Sequence, residues 1–69
     1  MANFNEKLAG RFHIVRKDID KIIVRCIGAL KEQKLNQEDV DFICRFYMIN
    51  PTEKWLRDGS NLIIYKEEN

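Results

Sequence analysis

The side chains of this chain that can act as nucleophiles, bases or metal ligands are few and lie far apart. There are two cysteines, Cys26 and Cys44, and one histidine, His13. A cysteine nucleophile needs a base within hydrogen-bond distance, yet on the helix predicted below His13 lies about 140° from Cys26 around the axis. A zinc site needs about four ligands at close spacing. We therefore predict no enzyme activity, no metal, no cofactor and no small-molecule substrate.

Both cysteines stand within apolar stretches, where a free thiol behaves as a small hydrophobic side chain. A single disulfide would be unusual in an intracellular chain. The first apolar residues, Phe4 and Leu8, are separated by polar ones, which is unlike a signal peptide. No apolar run approaches the roughly 18 residues of a membrane span. We expect two core thiols in a cytoplasmic protein that does not enter a membrane.

The composition is typical of one small globular domain, residues 1–69, with 45% hydrophobic and 33% charged side chains. A domain of this size buries only about 60% of its unfolded surface, and its core supplies roughly 3–5 kcal/mol. Docking on a protein partner or on a second copy would add to this small stability.

Charge is distributed unevenly along the chain. Residues 1–34 hold eight Lys or Arg and four Asp or Glu, giving +4, whereas residues 35–69 hold four and seven, giving −3. This difference indicates either an anion-binding face or attraction between the two halves. We prefer the second, because blocks this weak are usually solvated surface.

Apolar residues recur at helical spacing through the first 30 positions and fall within a sector of about 100°. They are Phe4, Leu8, Phe12, Val15, Ile19, Ile22, Ile23, Cys26 and Leu30. With Asn3 as N-cap and Glu6 as its capping-box partner, they predict one long N-terminal helix, whose seam could also pack on a twin in a homodimer. The alternative is a strand over residues 11–15, rich in strand-favouring residues, with a helix starting near Asp18 or Asp20.

The stretch "VDFICRFYMI", residues 40–49, is the most apolar of the chain. Asn36 as N-cap and Asp39 three residues later predict a second helix from Gln37 to Met48. The connection before it is short, so this helix should pack antiparallel on the first. One apolar face for that contact comprises Val40, Ile43, Cys44 and Tyr47.

The remaining residues predict a short third helix and one strand. Asn50 is a suitable N-cap, Pro51 fits the first helical position and Gly59 fits the end, so a helix should run from Pro51 to Arg57. Residues 61–66, "NLIIYK", read as a strand that needs a partner for its backbone groups. The alternative pairs residues 53–57 with 61–66 in a hairpin across "DGSN". The fold class we predict is mainly α, with one C-terminal strand.

The second helix carries apolar residues on a further side, which must be covered by the rest of the chain, by a second copy or by another protein. We predict that the protein is a small regulatory or interaction protein that binds a protein partner or itself through this surplus apolar surface. The predicted partner-binding residues are Phe42, Phe46, Ile49 and Trp55.

Residues 49–66 also resemble a DNA-binding arrangement. The order of "INP", a short helix, "RDG" and the strand "NLIIYK" is similar to the recognition end of winged helix-turn-helix domains such as phage excisionases. The resemblance implies DNA contacts from Lys54 and Arg57.

A second basic row, Arg11, Lys21 and Arg25, would lie along the predicted first helix. The acidic Glu53 beside Lys54 leaves little positive charge for anchoring phosphates. Nucleic acid is therefore the alternative partner and a protein the preferred one.

Overall fold

A computed structural model describes residues 6–67 of the chain. Its elements are, in order, β1 (Phe12–Lys17), β2 (Lys21–Cys26), a 3-10 helix (Gly28–Lys31), α1 (Gln37–Phe46), β3 (Trp55–Asp58) and β4 (Asn61–Tyr65). The strands form one antiparallel sheet in the order β1-β2-β4-β3. The predicted mainly α fold is therefore wrong, since residues 6–67 form a four-stranded sheet with one α-helix.

The predicted N-terminal helix is replaced by a hairpin of β1 and β2. In β2, Ile22, Val24 and Cys26 are fully buried and alternate with more exposed residues. This period of two is the pattern of a strand with one face on a core. Ile19 belongs to the predicted helical stripe but lies in the turn between the strands and is 94% exposed. Ile22 and Cys26 thus fit both periods, and the sheet decides between them.

The alternative strand over residues 11–15 is confirmed in the main by β1, but no helix begins near Asp18 or Asp20. The predicted cap Asn3 lies outside the described residues. Residues 6–10 form turns instead of helix, and Gly10 adopts a left-handed φ of 62°. A left-handed residue ends regular right-handed structure, and glycine adopts this conformation without steric cost.

The start of α1 agrees with the prediction. Asn36 is the N-cap, and its side chain accepts a hydrogen bond from the Asp39 N–H at 2.9 Å. The Asp39 carboxylate accepts in turn from the Asn36 N–H at 3.0 Å. This capping box is a local interaction, so two residues three positions apart are enough to specify it.

No helix of residues 6–67 is long and apolar enough to cross a membrane.

The end of α1 comes at Phe46, two residues before the prediction. The Ile49 N–H donates to the Cys44 carbonyl at 2.8 Å, and the Met48 N–H donates to the Arg45 carbonyl at 3.1 Å. These two bonds form a Schellman motif, which requires a left-handed residue after the C-cap. Met48 takes that position with a φ of 61°.

The core lies between α1 and one face of the sheet, so the predicted packing of two helices is wrong. Its ten buried members come from β2, α1 and β4, from the 3-10 helix and from the N-terminal turns. They are Leu8, Ile22, Val24, Cys26, Leu30, Val40, Ile43, Cys44, Leu62 and Ile64. The helix thus presents the face that the sequence indicates, but to strands rather than to a second helix.

The predicted third helix is also wrong, and the alternative hairpin is confirmed in outline. β3 pairs with β4 across the two-residue loop Gly59–Ser60, with Gly59 at a φ of 61°. Such loops join strands with the right twist when a residue tolerates positive φ. β4 lies between β2 and β3, so the predicted strand is internal to the sheet and not free for a second subunit.

Arg57 fixes the connection between β2 and α1. Its guanidinium donates to the carbonyls of Leu30 at 3.0 Å, Lys31 at 2.9 Å and Gln33 at 3.1 Å. Carbonyls at the end of a short helix have few intrahelical partners, so these three bonds tie the loop after the 3-10 helix to β3.

We expect Met48→Gly to raise the free energy of unfolding by roughly 0.5–1 kcal/mol, because glycine removes the left-handed strain of a side chain with a Cβ atom. Met48 is 92% exposed, so its side chain contributes little packing. Urea denaturation measures the change. Met48→Ala keeps the strain and is the control, and equal stability of the two variants would contradict the explanation.

Candidate protein-interaction surface

Phe42 and Phe46 lie on the side of α1 that faces the N-terminal turns and the start of β1. Together with four neighbours they line an open, apolar groove of about 230 Å³. Its lining residues are Leu8, Ala9, Gly10, Phe12, Phe42 and Phe46. We call this site the aromatic groove. The Phe46 side chain is 63% exposed at its mouth, so within residues 6–67 this ring is not covered as an ordinary core residue would be.

Aromatic rings hold Phe46 in place despite its exposure. Its ring centroid lies 5.3 Å from that of Phe12 and 5.1 Å from that of Tyr47, and both pairs are edge-to-face. Phe12 and Tyr47 form a third such pair at 5.8 Å. These are the preferred distances and angles for aromatic pairs. The exposed ring is therefore held in one orientation by its aromatic neighbours.

Tyr47 connects this cluster to the backbone of β1. Burial raises the pKa of the Tyr47 hydroxyl, and a hydrogen bond with the Ile14 backbone partly offsets this rise in pKa. Because β1 is an edge strand, Tyr47 also covers a backbone group that would otherwise be open to pairing with another chain.

The other wall of the aromatic groove is anchored by an ion pair. The Lys7 ammonium lies 2.7 Å from the carboxylate of Asp39 and donates to the Lys34 carbonyl at 2.7 Å. Asp39 is nearly buried at the start of α1. A buried carboxylate needs such compensation, so the pair fixes residues 6–10 against the helix and holds the groove open.

The other two predicted partner-binding residues lie elsewhere. Ile49 and Trp55 are half-buried and pack against the core. The Trp55 indole N–H donates to the side-chain oxygen of Gln37 at 2.8 Å, and the Gln37 amide donates to the Thr52 carbonyl at 2.8 Å. The structure therefore brings Phe42 and Phe46 together at the groove and places Ile49 and Trp55 elsewhere. Phe42 also packs against the core, so Phe46 is the exposed one of the four.

The residues of the DNA-binding alternative lie on or beside strands of the sheet and not on a helix. Residues 55–58 are strand, so no recognition helix presents Lys54 and Arg57. Arg57 is committed to loop carbonyls, as described above. Lys21 lies 3.6 Å from Asp18 and 3.8 Å from Asp20, which reduces its local positive charge.

The two remaining basic candidates, Arg11 and Arg25, are diagonal neighbours across β1 and β2 on the open face of the sheet. Arg11 precedes β1 and is half-buried, whereas Arg25 is exposed in β2, opposite His13 in the register of β1. The helix predicted to carry this basic row is absent, but Lys21 and Arg25 share the open face of β2, because they are four residues apart on a strand.

The cysteines are core residues, as predicted. Cys26 and Cys44 are free thiols and fully buried. Burial raises the pKa of each thiol, with a smaller opposing effect from the Arg57 charge on Cys26 and from a Thr52 backbone hydrogen bond on Cys44. A thiol with a raised pKa is a poor nucleophile. Within residues 6–67 no group of three His, Cys, Asp or Glu side chains is arranged to hold a metal.

Sequence reasoning missed the residues that make Phe46 part of a groove. The helical pattern predicts Leu8, Gly10 and Phe12 in one continuous helix, and such a helix would not form the groove. The available signal was Gly10, a poor helix former, directly before a run of strand-favouring residues.

Residues 6–67 define the fold class as a four-stranded antiparallel sheet covered on one face by one α-helix. No protein-family model, curated protein or solved structure matches the chain. Its function must therefore be argued from the surfaces described here.

We expect the free energy of unfolding to fall as the pH rises above about 9, because the unfolded state releases thiol protons at the ordinary pKa of 9.0 while the folded state retains them. The stabilising contribution is complete below that pKa and is lost as the pH rises toward the raised folded values. Chemical denaturation between about pH 7.5 and 9.5 measures it. A Cys26→Ala, Cys44→Ala double variant should show a flatter profile, and an unchanged slope would contradict this assignment.

Proposed function

We propose that this protein is a small intracellular interaction domain that binds an apolar segment of a protein partner in the aromatic groove. The observation that carries the proposal is Phe46, a largely exposed ring that is held in one orientation at the mouth of an apolar groove. Rigid aromatic side chains at the centre of a contact supply most of the energy of many protein interfaces.

The size and chemistry of the groove support a protein segment as the ligand. Its volume, about 230 Å³, is below the roughly 300–1,000 Å³ of pockets that enclose small molecules. Its lining side chains are apolar, so they offer no hydrogen bonds to orient a polar ligand. An amphipathic segment that inserts one or two apolar side chains is the mode of recognition that fits such a groove.

The area of the groove argues for a segment over a second folded copy. A stable interface between folded proteins buries about 800 Å² on each partner, and a groove lined by six residues provides much less. A peptide segment can bind with a smaller contact when its anchor side chain is well enclosed.

The buried cysteines support a binding role inside the cell. Both thiols are free, shielded and poor nucleophiles, which suits a reducing compartment. Regulation of the partner would come from blocking its bound segment and would require no catalysis by this chain.

Selection of a random peptide library on the immobilised protein tests the proposal. We expect selected peptides to share a large apolar anchor and to lose about tenfold or more in affinity with Phe46→Ala, because truncating a central aromatic residue commonly costs roughly 2 kcal/mol. Phe42→Ala should weaken binding less, since Phe42 is already half-buried. Isothermal calorimetry on the wild type and the variants provides the affinities.

Met48→Ala is the matched control, because Met48 is an exposed apolar residue near the end of the same helix and does not line the groove. It should bind within about twofold of the wild type. Circular dichroism should show that Phe46→Ala remains folded. Failure to select any peptide, or equal affinity of the peptides for Phe46→Ala, would remove the proposal. Loss of a dimer on Phe46→Ala, seen by light scattering, would instead assign the groove to a second copy.

A further inference from the structure

The two edge strands of the sheet differ in how their outer backbone is protected. β1 has an irregularity in its register between Ile14 and Arg16, and Tyr47 binds the Ile14 backbone from outside the sheet. Bulges and covering side chains prevent an edge from pairing with another chain. β3, in contrast, keeps an unbroken register from Trp55 to Asp58. The sheet is therefore closed to pairing at β1 and regular at β3.

The outward backbone groups of β3 belong to Trp55 and Arg57. The Tyr65 N–H donates to the Lys54 carbonyl at 2.9 Å, and hydrogen-bonded positions in an antiparallel pair recur at every second residue. The N–H and C=O groups of Trp55 and Arg57 therefore point away from β4. Among residues 6–67, no hydrogen bond reaches these four groups. They form a short, regular template for another strand.

We propose that β3 pairs antiparallel with β3 of a second copy of this chain, which joins the two sheets into one of eight strands. With the twofold axis at Leu56, Trp55 of one copy lies opposite Arg57 of the other. These are the residues with outward backbone groups, so each such pair can exchange two hydrogen bonds. Leu56, which is 51% exposed, then contacts Leu56 of the second copy at the close, non-hydrogen-bonded position.

The charges beside Leu56 match in this register. Lys54 of each copy lies opposite Asp58 of the other, so the twofold axis creates two pairs of opposite charge. Opposite charges directly across an antiparallel pair are stabilising, and like charges are destabilising. The residues that flank β3 are therefore complementary in charge to those of a second copy in this register.

Other twofold registers fit less well. An axis at Arg57 would place two guanidinium groups directly opposite each other. An axis at Trp55 would require the strand to continue through Glu53, which lies in a bend. With the axis at Leu56, all paired residues belong to β3 or are Lys54.

The apolar row on the open face of the sheet supports the same arrangement. Ile23, Ile63 and Leu56 are cross-strand neighbours on β2, β4 and β3, on the face that α1 leaves uncovered. In the dimer this row continues through the axis into the same residues of the second copy. The contact is smaller than the interface of a stable dimer, about 800 Å² per chain, so the association should be weak and reversible.

Sedimentation velocity from about 10 µM to 1 mM tests the proposal, since weak dimers form in this range. We expect reversible dimerisation of the wild type. Lys54→Asp alone, or Asp58→Lys alone, should weaken it about fivefold or more, because each reversal creates two like-charge pairs. An equimolar mixture of the two variants should restore dimerisation, because the unlike copies recover opposite charges at both positions. Lys17→Asp, an exposed reversal on β1, is the matched control and should have no effect.

Amide hydrogen exchange locates the contact. The Trp55 and Arg57 amides should become more protected as concentration rises, whereas the Lys17 amide on the opposite edge should not. A monomer at 1 mM, a dimer that both reversals leave intact, or a dimer without added protection at Trp55 and Arg57 would overturn the proposal. The mixing result shows that loss of dimer in a single variant does not reflect unfolding, and Phe46→Ala should leave the dimer unchanged.

Discussion

The structure depends on one contact, the packing of a ten-residue helix on one face of a four-stranded sheet. Ten helical residues span about 15 Å, and four strands extend about 14 Å from first to last, so the length of α1 is close to the width of the sheet. Val40, Ile43 and Cys44 contribute the helix side of this core. One helix covers only one face of the sheet. Other residues must therefore cover or fix the flanks of α1, the open face and the sheet edges.

Those residues act at the two ends of α1. At its start, Lys7 pairs with Asp39, while Trp55 binds Gln37, so the helix is tied to the N-terminal turns on one side and to β3 on the other. At its end, Phe46 and Tyr47 pack on Phe12. The aromatic groove lies between these two anchors. Its shape therefore follows from how the helix is fixed to the sheet and to the N-terminal turns, which line one side of the groove.

The charge difference between the two halves of the chain has a limited structural role. The Lys7–Asp39 pair joins the basic half to the acidic half, in line with the attraction expected from the sequence. The pairs of Asp18 with Arg16 and with Lys21 are local to the turn between β1 and β2. Exposed pairs of this kind contribute little to stability, whereas the nearly buried Asp39 requires its partner.

The sequence by itself determined the features that depend on neighbouring residues. Asn36 and Asp39 specified the start of α1, and the apolar surroundings of the two cysteines indicated core positions. Gly59 marked a chain reversal but fitted the end of a helix as well as a hairpin turn. The fold of the first 30 residues could not be determined in this way, because Ile22 and Cys26 satisfy both a helical and a strand pattern. Pairing of β2 with β4, almost 40 positions later in the chain, decided it, since a strand is stable only when its backbone groups have partners. The exposure of Phe46 was likewise decided by tertiary structure, because it depends on which surfaces the sheet leaves uncovered.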